Sequence, residues 1–271
     1  MGQAKLKQRA AFSPQIVADW EAELCVNFAV ALSRLTGWIL HVDWWSPSAD
    51  RKEEVPIDLM RPLRAYVADN HDRVFDVRGL RLIEEFTLRT IHPLAMPYGS
   101  GSVRTRYYAE QTLVTLPLPA YPDEIKVANA IVAINANSAY LTSIPKRPIG
   151  GLPAHQAATF TFGRCGPFAE ALREQTGLPV VALMADRYTP LFGLGEPGYV
   201  HSVLLHPDGS VEDAWGLSSV KHVAERFGLA EFHLDAQEHE RVIANLKRNT
   251  PERYEKVLAE AKTALTARHV A

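Results

Sequence analysis

Residues 165 to 177 read CGPFAEALREQTG and residues 25 to 37 read CVNFAVALSRLTG. Seven of the thirteen positions in these two stretches are identical at a constant offset of 140 residues. The shared Phe, Ala and Leu positions recur at the spacing of one helix face, and the shared Gly stands where a helix ends on a glycine cap. The sequence therefore predicts an internal repeat in which each copy contains a Cys-bearing helix.

A second pair of stretches matches at nearly the same offset, VFDVRGL at 74 to 80 and VEDAWGL at 211 to 217. In the second copy the preceding residues, YVHSVLLHPDGSVED, predict a strand, a Pro-Asp-Gly-Ser turn and another strand. The corresponding residues of the first copy, LRAYVADNHDRVFD, are one residue shorter in the turn. Both copies are therefore predicted to continue from the helix into antiparallel strands, with an Asp on the last strand.

The distribution of proline and glycine suggests how the chain is divided. Prolines are frequent between the two copies, together with the sequence GSGS, and this composition is typical of a connector. We expect a first repeat at residues 1–90, a connector at 91–154 with one helix starting at Asp123, and a second repeat at 155–271 that ends in a helix.

The overall composition excludes several classes of protein. The net charge is -2, so the chain lacks the basic character of a nucleic-acid binder, and the basic first ten residues, MGQAKLKQRA, are interpreted as a solvated end. No run approaches eighteen apolar residues, and no secretory signal is visible, so a cytoplasmic location without a membrane partner is expected, with non-classical export as an effector left open. Two cysteines make no disulfide framework, and the histidines have no ligand spacing, so neither a metal nor another cofactor is expected.

The second copy contains the three groups that cysteine catalysis requires. These are a thiolate, a base that takes its proton and a group that orients the base. Cys165 opens the predicted helix, where the helix dipole and the unpaired backbone N–H groups lower a thiol pKa. His201 and Asp213 lie on the two strands of the predicted hairpin, so the Asp can hold the imidazole in one tautomer.

The first copy lacks the base. Arg64 stands at the position that matches His201, and a guanidinium cannot accept a proton near neutral pH. Cys25 and Asp76 are therefore predicted to be remnants of a lost triad. A Cys within such a helix and a His on a strand are each more often packed core than catalytic, but their combination in this order in the second copy favours a catalytic site.

The pattern GRCGPFAEAL followed by YVHSVLLHPDGSVEDAWG resembles the papain-like superfamily in its transglutaminase-like branch. The gaps of 36 residues from Cys165 to His201 and 12 more to Asp213 are similar to that branch and to the arylamine acyltransferases. The resemblance implies an α+β fold of two papain-like or transglutaminase-like units, each a Cys-bearing helix packed on an antiparallel sheet, the first of them degenerate. It also implies that Cys165 is the nucleophile, His201 the general base and acid, and Asp213 the orienting acid.

The chain departs from that family pattern before the nucleophile. Gln156, the candidate for binding the oxyanion, is nine residues upstream of Cys165, which is not the usual spacing. The backbone N–H of Cys165 is the alternative oxyanion donor. Trp215 is a candidate for lining a cleft, although aromatic residues are more often core, and the glycine-rich stretch at 193–198 is interpreted as a flexible loop beside the site.

These features predict a cysteine-dependent hydrolase or acyl transferase that acts on an amide, isopeptide or thioester bond through an acyl-Cys165 intermediate. The expected substrate is a protein or peptide, and the sequence makes no prediction of oligomeric state. The alternative is a non-catalytic protein-binding module on a papain-like scaffold, because the first copy shows that this scaffold tolerates the loss of its triad.

Overall fold

The structure, a computed structural model, describes residues 12–50, 52–69, 73–148, 150–190 and 196–268. The basic first ten residues and the start of the predicted loop at 193–198 lie outside the described residues. The chain divides into two compact units, Met1–Arg147 and Pro148–Ala271. Each unit combines helices with an antiparallel five-stranded sheet, which confirms the predicted α+β class.

The first unit contains a sheet with the strand order β4-β3-β2-β1-β5. Its helices and strands are α1 (Pro14–Glu21), α2 (Val26–Thr36), β1 (Ile39–Ser46), β2 (Arg61–Ala68), β3 (Arg73–Asp76), β4 (Gly79–Leu82), α3 (Ile83–Phe86), α4 (His92–Ala95), β5 (Ser102–Tyr108), α5 (Glu124–Ala136) and α6 (Ser138–Ser143). A π-helical stretch, Thr87–Ile91, joins α3 to α4. Short 3-10 segments cover Ile57–Leu59, Met96–Tyr98 and Glu110–Thr115.

The second unit contains a sheet with the strand order β10-β6-β7-β8-β9. Its helices and strands are α7 (Ala154–Thr159), α8 (Cys165–Thr176), β6 (Val180–Tyr188), β7 (Gly198–Leu205), β8 (Ser210–Asp213), β9 (Gly216–Ser219), α9 (Val220–Arg226), β10 (Leu229–Asp235), α10 (Ala236–Asn249) and α11 (Pro251–Arg268). Leu183, Val203 and Val211 of the sheet form a core with Val223 and Phe227.

The two sheets have the same strand order and the same register at the hairpin. Val67 lies opposite Phe75 in the first unit, and Leu204 lies opposite Glu212 in the second. Both residues of the second pair are 137 positions after their counterparts in the first pair. Register decides which side chains of a strand face the core, because a slip of one residue turns every side chain to the other face. Asp76 and Asp213 consequently occupy equivalent strand positions, as predicted.

The two Cys-bearing stretches form the predicted helices and end in the same way. Gly37 and Gly177 have φ of 69° and 72° at the ends of α2 and α8, the left-handed conformation that glycine adopts without strain. The positions predicted to face the core are each at most 2% exposed, namely Phe28, Ala31, Leu32, Phe168, Ala171 and Leu172. The two helices differ at their starts, because α8 begins at Cys165 whereas Cys25 precedes α2 with φ of 60°.

The structure places most of the predicted connector in the first unit. Strand β5 pairs with β1 from Leu40↔Tyr108 to Ser46↔Ser102, and α5 buries Val127, Ala130 and Ile134. The helix predicted from Asp123 is α5, which this residue caps by accepting a hydrogen bond from the N–H of Lys126. The prolines of this segment therefore separate short ordered elements of the unit.

Candidate active site

Cys165 is the first residue of α8 and is 5% exposed. The first turn of a helix has backbone N–H groups without intrahelical partners, and the helix dipole places partial positive charge there. This position therefore favours the thiolate over the thiol. Gly166 behind it allows close packing, since a Cβ there would lie 3.1 Å from Cδ1 of Ile243.

His201 on β7 and Asp213 on β8 meet beside the thiol, and both side chains are buried. Nε2 of His201 lies 2.9 Å from Oδ2 of Asp213, while Oδ1 of Asp213 accepts a hydrogen bond of 2.9 Å from the N–H of Trp215. The aspartate thus fixes the proton on Nε2 of the neutral imidazole. Nδ1 is the ring nitrogen left for the thiol, because it has no conventional hydrogen-bond partner among the described residues.

The pKa values of Cys165 and His201 show that each stabilises the charged form of the other. Burial alone raises the pKa of Cys165, but the charge of His201 and the polar groups of His201, Tyr199 and the Ser202 backbone near the thiol lower it to about 7. Burial alone lowers the pKa of His201, but Cys165 and Asp213 raise it to about 9. A thiolate and an imidazolium therefore coexist between about pH 7 and pH 9.

Arg226, the last residue of α9, is a site residue that the sequence did not reveal. Its Nη1 forms an ion pair with Oδ2 of Asp213, and both side chains are 2% exposed. Burial acts to raise the pKa of Asp213, yet Arg226 and His201 hold that pKa well below its usual range. Asp213 therefore stays ionised. Arg226 binds Oδ2 of its carboxylate, while the backbone N–H of Trp215 binds Oδ1.

A second set of side chains approaches the thiol from Tyr199. Its hydroxyl lies 3.3 Å from Sγ of Cys165 and 2.8 Å from Oγ of Ser202. Ser202 is hydrogen-bonded to Nδ1 of His239 at 2.9 Å, and Nε2 of His239 lies 2.8 Å from Oε1 of Glu170. Tyr199 and Ser202 lie close to His201 in the sequence of β7, which could have suggested them as site residues. No sequence pattern connects them to His239 on α10 or to Glu170 on α8.

The two other predicted site residues lie elsewhere in the second unit, Gln156 on α7 and Trp215 in the turn between β8 and β9. Gln156 lines a cleft of about 480 Å³ between α7 and α11, whose lining residues do not include Cys165. Trp215 is buried, and its indole N–H donates a hydrogen bond of 2.8 Å to Thr161. The backbone N–H of Trp215 thus binds Asp213, and its buried indole is held by Thr161.

The corresponding position of the first unit is chemically different. Arg64 donates hydrogen bonds to Sγ of Cys25 at 2.8 Å and to Glu21 at 2.6 Å. Burial raises the pKa of Cys25 to about 12, although the charge of Arg64 acts to lower it. The N–H of Cys25 donates to the carbonyl of Trp20 at 2.9 Å. This thiol is therefore protonated at neutral pH, and its backbone N–H is already occupied.

The rest of the described chain adds two observations on metals and membranes. Within the described ranges, no cluster of three or more His, Cys, Asp or Glu side chains is arranged to hold a metal ion. No helix in the same ranges combines the length and the apolar character that crossing a membrane requires.

Comparison of the chain with family models, curated proteins and solved structures found no match.

Proposed function

We propose that the second unit is a cysteine-dependent hydrolase or acyl transferase that acts on an amide, isopeptide or thioester bond. The observation that carries this proposal is the thiol of Cys165, which stands at the start of a helix beside a His201–Asp213 pair and has a pKa of about 7. The repeated strand order supports the related proposal that the chain is an internally duplicated member of the papain-like superfamily, in its transglutaminase-like branch, with a degenerate first copy.

The proposed reaction has two stages. The Cys165 thiolate attacks the carbonyl carbon, and the carbonyl electrons move to the oxygen, which the N–H of Cys165 stabilises by a hydrogen bond. The tetrahedral intermediate then breaks its bond to the leaving amine or thiol, which takes a proton from His201, and an acyl-Cys165 remains. In the second stage, water or an acceptor amine gives a proton to His201 and attacks the acyl group, which restores the thiolate and the imidazolium.

The burial of Cys165 favours a slender acyl group. Cys165 is only 5% exposed, so its sulfur is accessible to a side-chain amide, a thioester or an extended peptide more readily than to a folded segment. A protein or peptide that presents such a group is therefore the proposed substrate.

An electrophilic acyl probe tests the proposal directly. We expect mass spectrometry to find the acyl group on Cys165 and not on Cys25, because burial raises the pKa of Cys25 to about 12. The His201→Ala variant should form the adduct much more slowly than the wild type while keeping its fold. Equal labelling of both thiols, or an adduct that survives in the His201→Ala variant at the wild-type rate, would contradict the assignment.

A second candidate function, non-catalytic protein binding on the papain-like scaffold, is favoured for the first unit by one observation. Arg64 occupies the position of the base and binds Cys25, so this unit has no proton acceptor for its thiol. We expect the Cys25→Ser variant to bind the same proteins as the wild-type chain in a pull-down, since the hydroxyl preserves the contact with Arg64. Loss of acyl-probe labelling at Cys165 in that variant would contradict a purely binding role.

A further inference from the structure

The proposed reaction does not use the hydrogen-bonded chain that leads away from Cys165. Four contacts form it, Sγ to Tyr199 at 3.3 Å, Tyr199 to Ser202 at 2.8 Å, Ser202 to Nδ1 of His239 at 2.9 Å, and Nε2 of His239 to Glu170 at 2.8 Å. Ser202 and His239 are each at most 1% exposed, and Glu170 is 5% exposed. Burying an imidazole against a carboxylate has a desolvation cost that an apolar pair would not have.

The donors and acceptors of this chain fit two arrangements of protons. In the first, the thiol donates to Tyr199, Tyr199 donates to Ser202, and Ser202 donates to Nδ1 of a neutral His239. In the second, His239 is an imidazolium whose Nδ1–H donates to Ser202, Ser202 donates to Tyr199, and Tyr199 donates to the thiolate. Nε2–H of His239 donates to the carboxylate of Glu170 in both arrangements.

The two arrangements differ by one proton. Passing from the first to the second breaks the S–H bond and forms an N–H bond on His239, while Tyr199 and Ser202 each accept one proton and release another. No heavy atom has to move, and the negative charge left on sulfur is balanced by the positive charge gained on the imidazole. Glu170 remains ionised throughout and keeps its hydrogen bond to Nε2.

We propose that Tyr199 and Ser202 are a proton relay between the Cys165 thiol and a second histidine–carboxylate pair, His239–Glu170. The inference rests on the proposed function in taking Cys165 as the nucleophile. It gives the thiol two proton acceptors, His201 directly and His239 through two hydroxyl groups. Tyr199 touches the reacting sulfur, whereas Ser202 and His239 act through it and are positioning residues.

The charged and titratable surroundings of His239 come from every element packed on α10. Glu170 is bound to Arg173 on α8, and Arg173 also pairs with Glu240 of α10 itself. The charged residues of β6, Asp186 and Arg187, pair with His233 and Glu231 on β10. Further charged groups on these elements include Glu238 on α10, which pairs with Arg241, and Glu174 on α8, which pairs with Lys262 on α11. Tyr254 and Glu255 lie on α11.

The test is the pH dependence of Cys165 alkylation in the full chain. A Cys25→Ser background leaves one thiol, and iodoacetamide labelling is followed by mass spectrometry. The His239→Gln variant can still accept a hydrogen bond from Ser202 and donate one to Glu170, but it cannot take up a proton. Tyr199→Phe removes the hydroxyl group that contacts the thiol. Because Tyr199 is only half-buried, this variant replaces His239→Gln in the test if His239→Gln does not fold. His233→Gln, which alters the exposed pair with Asp186 in the same unit, is the matched control.

We expect Tyr199→Phe and His239→Gln each to raise the midpoint of the alkylation profile by about one pH unit, because each removes stabilisation of the thiolate. In a His201→Gln background, Tyr199→Phe and His239→Gln should each lower the alkylation rate of Cys165 at pH 7 by about tenfold or more. The two substitutions together should lower this rate no further than either alone, since both interrupt the same proton route. His233→Gln should change neither profile.

Two results would overturn the relay. One is an unchanged profile for a folded His239→Gln variant in both backgrounds, and the other is additive losses from Tyr199→Phe and His239→Gln. The proposed function is judged separately, from the unsubstituted site. A midpoint for Cys165 near that of a free thiol, about 8.5, would contradict the function, whereas the differences between variants alone decide the relay.

Discussion

The titration of Cys165 gives the sharpest prediction for the proposed nucleophile. Its pKa of about 7 means that about a tenth of the thiol is ionised at pH 6, where a free thiol is almost fully protonated. With a free-thiol pKa of about 8.5, the thiolate fraction at pH 6 is about 30-fold larger for Cys165. A thiolate of lower pKa is a weaker nucleophile by about fivefold for this difference, so the expected rate advantage is roughly sixfold at equal access.

The assay is labelling with iodoacetamide between pH 5 and pH 10, with both cysteines quantified by mass spectrometry of their peptides. Cys165 should label with a midpoint near pH 7, and the profile should change again near pH 9 as His201 loses its proton. Cys25 should remain unlabelled over most of the range, because burial raises its pKa to about 12. Free glutathione in the same tube provides the reference rate. A single midpoint at or above 8.5 for Cys165, or faster labelling of Cys25, would refute the reasoning.

Three further predictions concern variants. Cys165→Ala and His201→Ala should abolish hydrolysis of an activated acyl ester to a similar extent, while Asp213→Asn should retain roughly 50-fold more activity than either; a small effect of His201→Ala would contradict the triad. Arg226→Met should lower the free energy of unfolding by about 3 kcal/mol at pH 7 in urea titrations, because it leaves a buried carboxylate with one cationic partner fewer. The lowered pKa of Asp213 stabilises the fold above about pH 4, and this contribution is lost as the pH falls through the pKa of Asp213 in the folded protein. Acid unfolding of Arg226→Met should therefore begin at higher pH than that of the wild type. Acid unfolding at an unchanged pH would argue against the ion pair. Cys25→Ser should preserve activity and lower stability by no more than about 1.5 kcal/mol by thermal unfolding, and a folded but inactive protein would move the chemistry to the first unit.

The sequence was sufficient to predict what the two copies share. The Cys-bearing helices, their glycine caps and the hairpin that carries His201 and Asp213 follow from patterns that occur twice at nearly one offset. Strand β5 was not predicted, because its sequence, SVRTRYY, alternates weakly and gains its pairing from β1.

The additional side chains around the triad could not be predicted for a different reason. The register between β6 and β7 shifts between Leu183 and Met184, so that Val200 is an extra residue opposite β6. Such a bulge redirects neighbouring side chains, here at the point where Tyr199 meets Cys165. Arg226 and His239 reach the site from helices whose positions depend on packing of the whole unit, which no local pattern encodes.

The backbone at Cys25 determines what a catalytic site in the first unit would require. Leu24 and Cys25 both have positive φ, of 53° and 60°, and the N–H of Cys25 is bound to Trp20. An Arg64→His substitution would supply a base, but the thiol would still precede its helix and its N–H would still be unable to bind an oxyanion. A catalytic site there would require a change of main-chain path as well as a change of side chain, so Arg64→His alone is not sufficient.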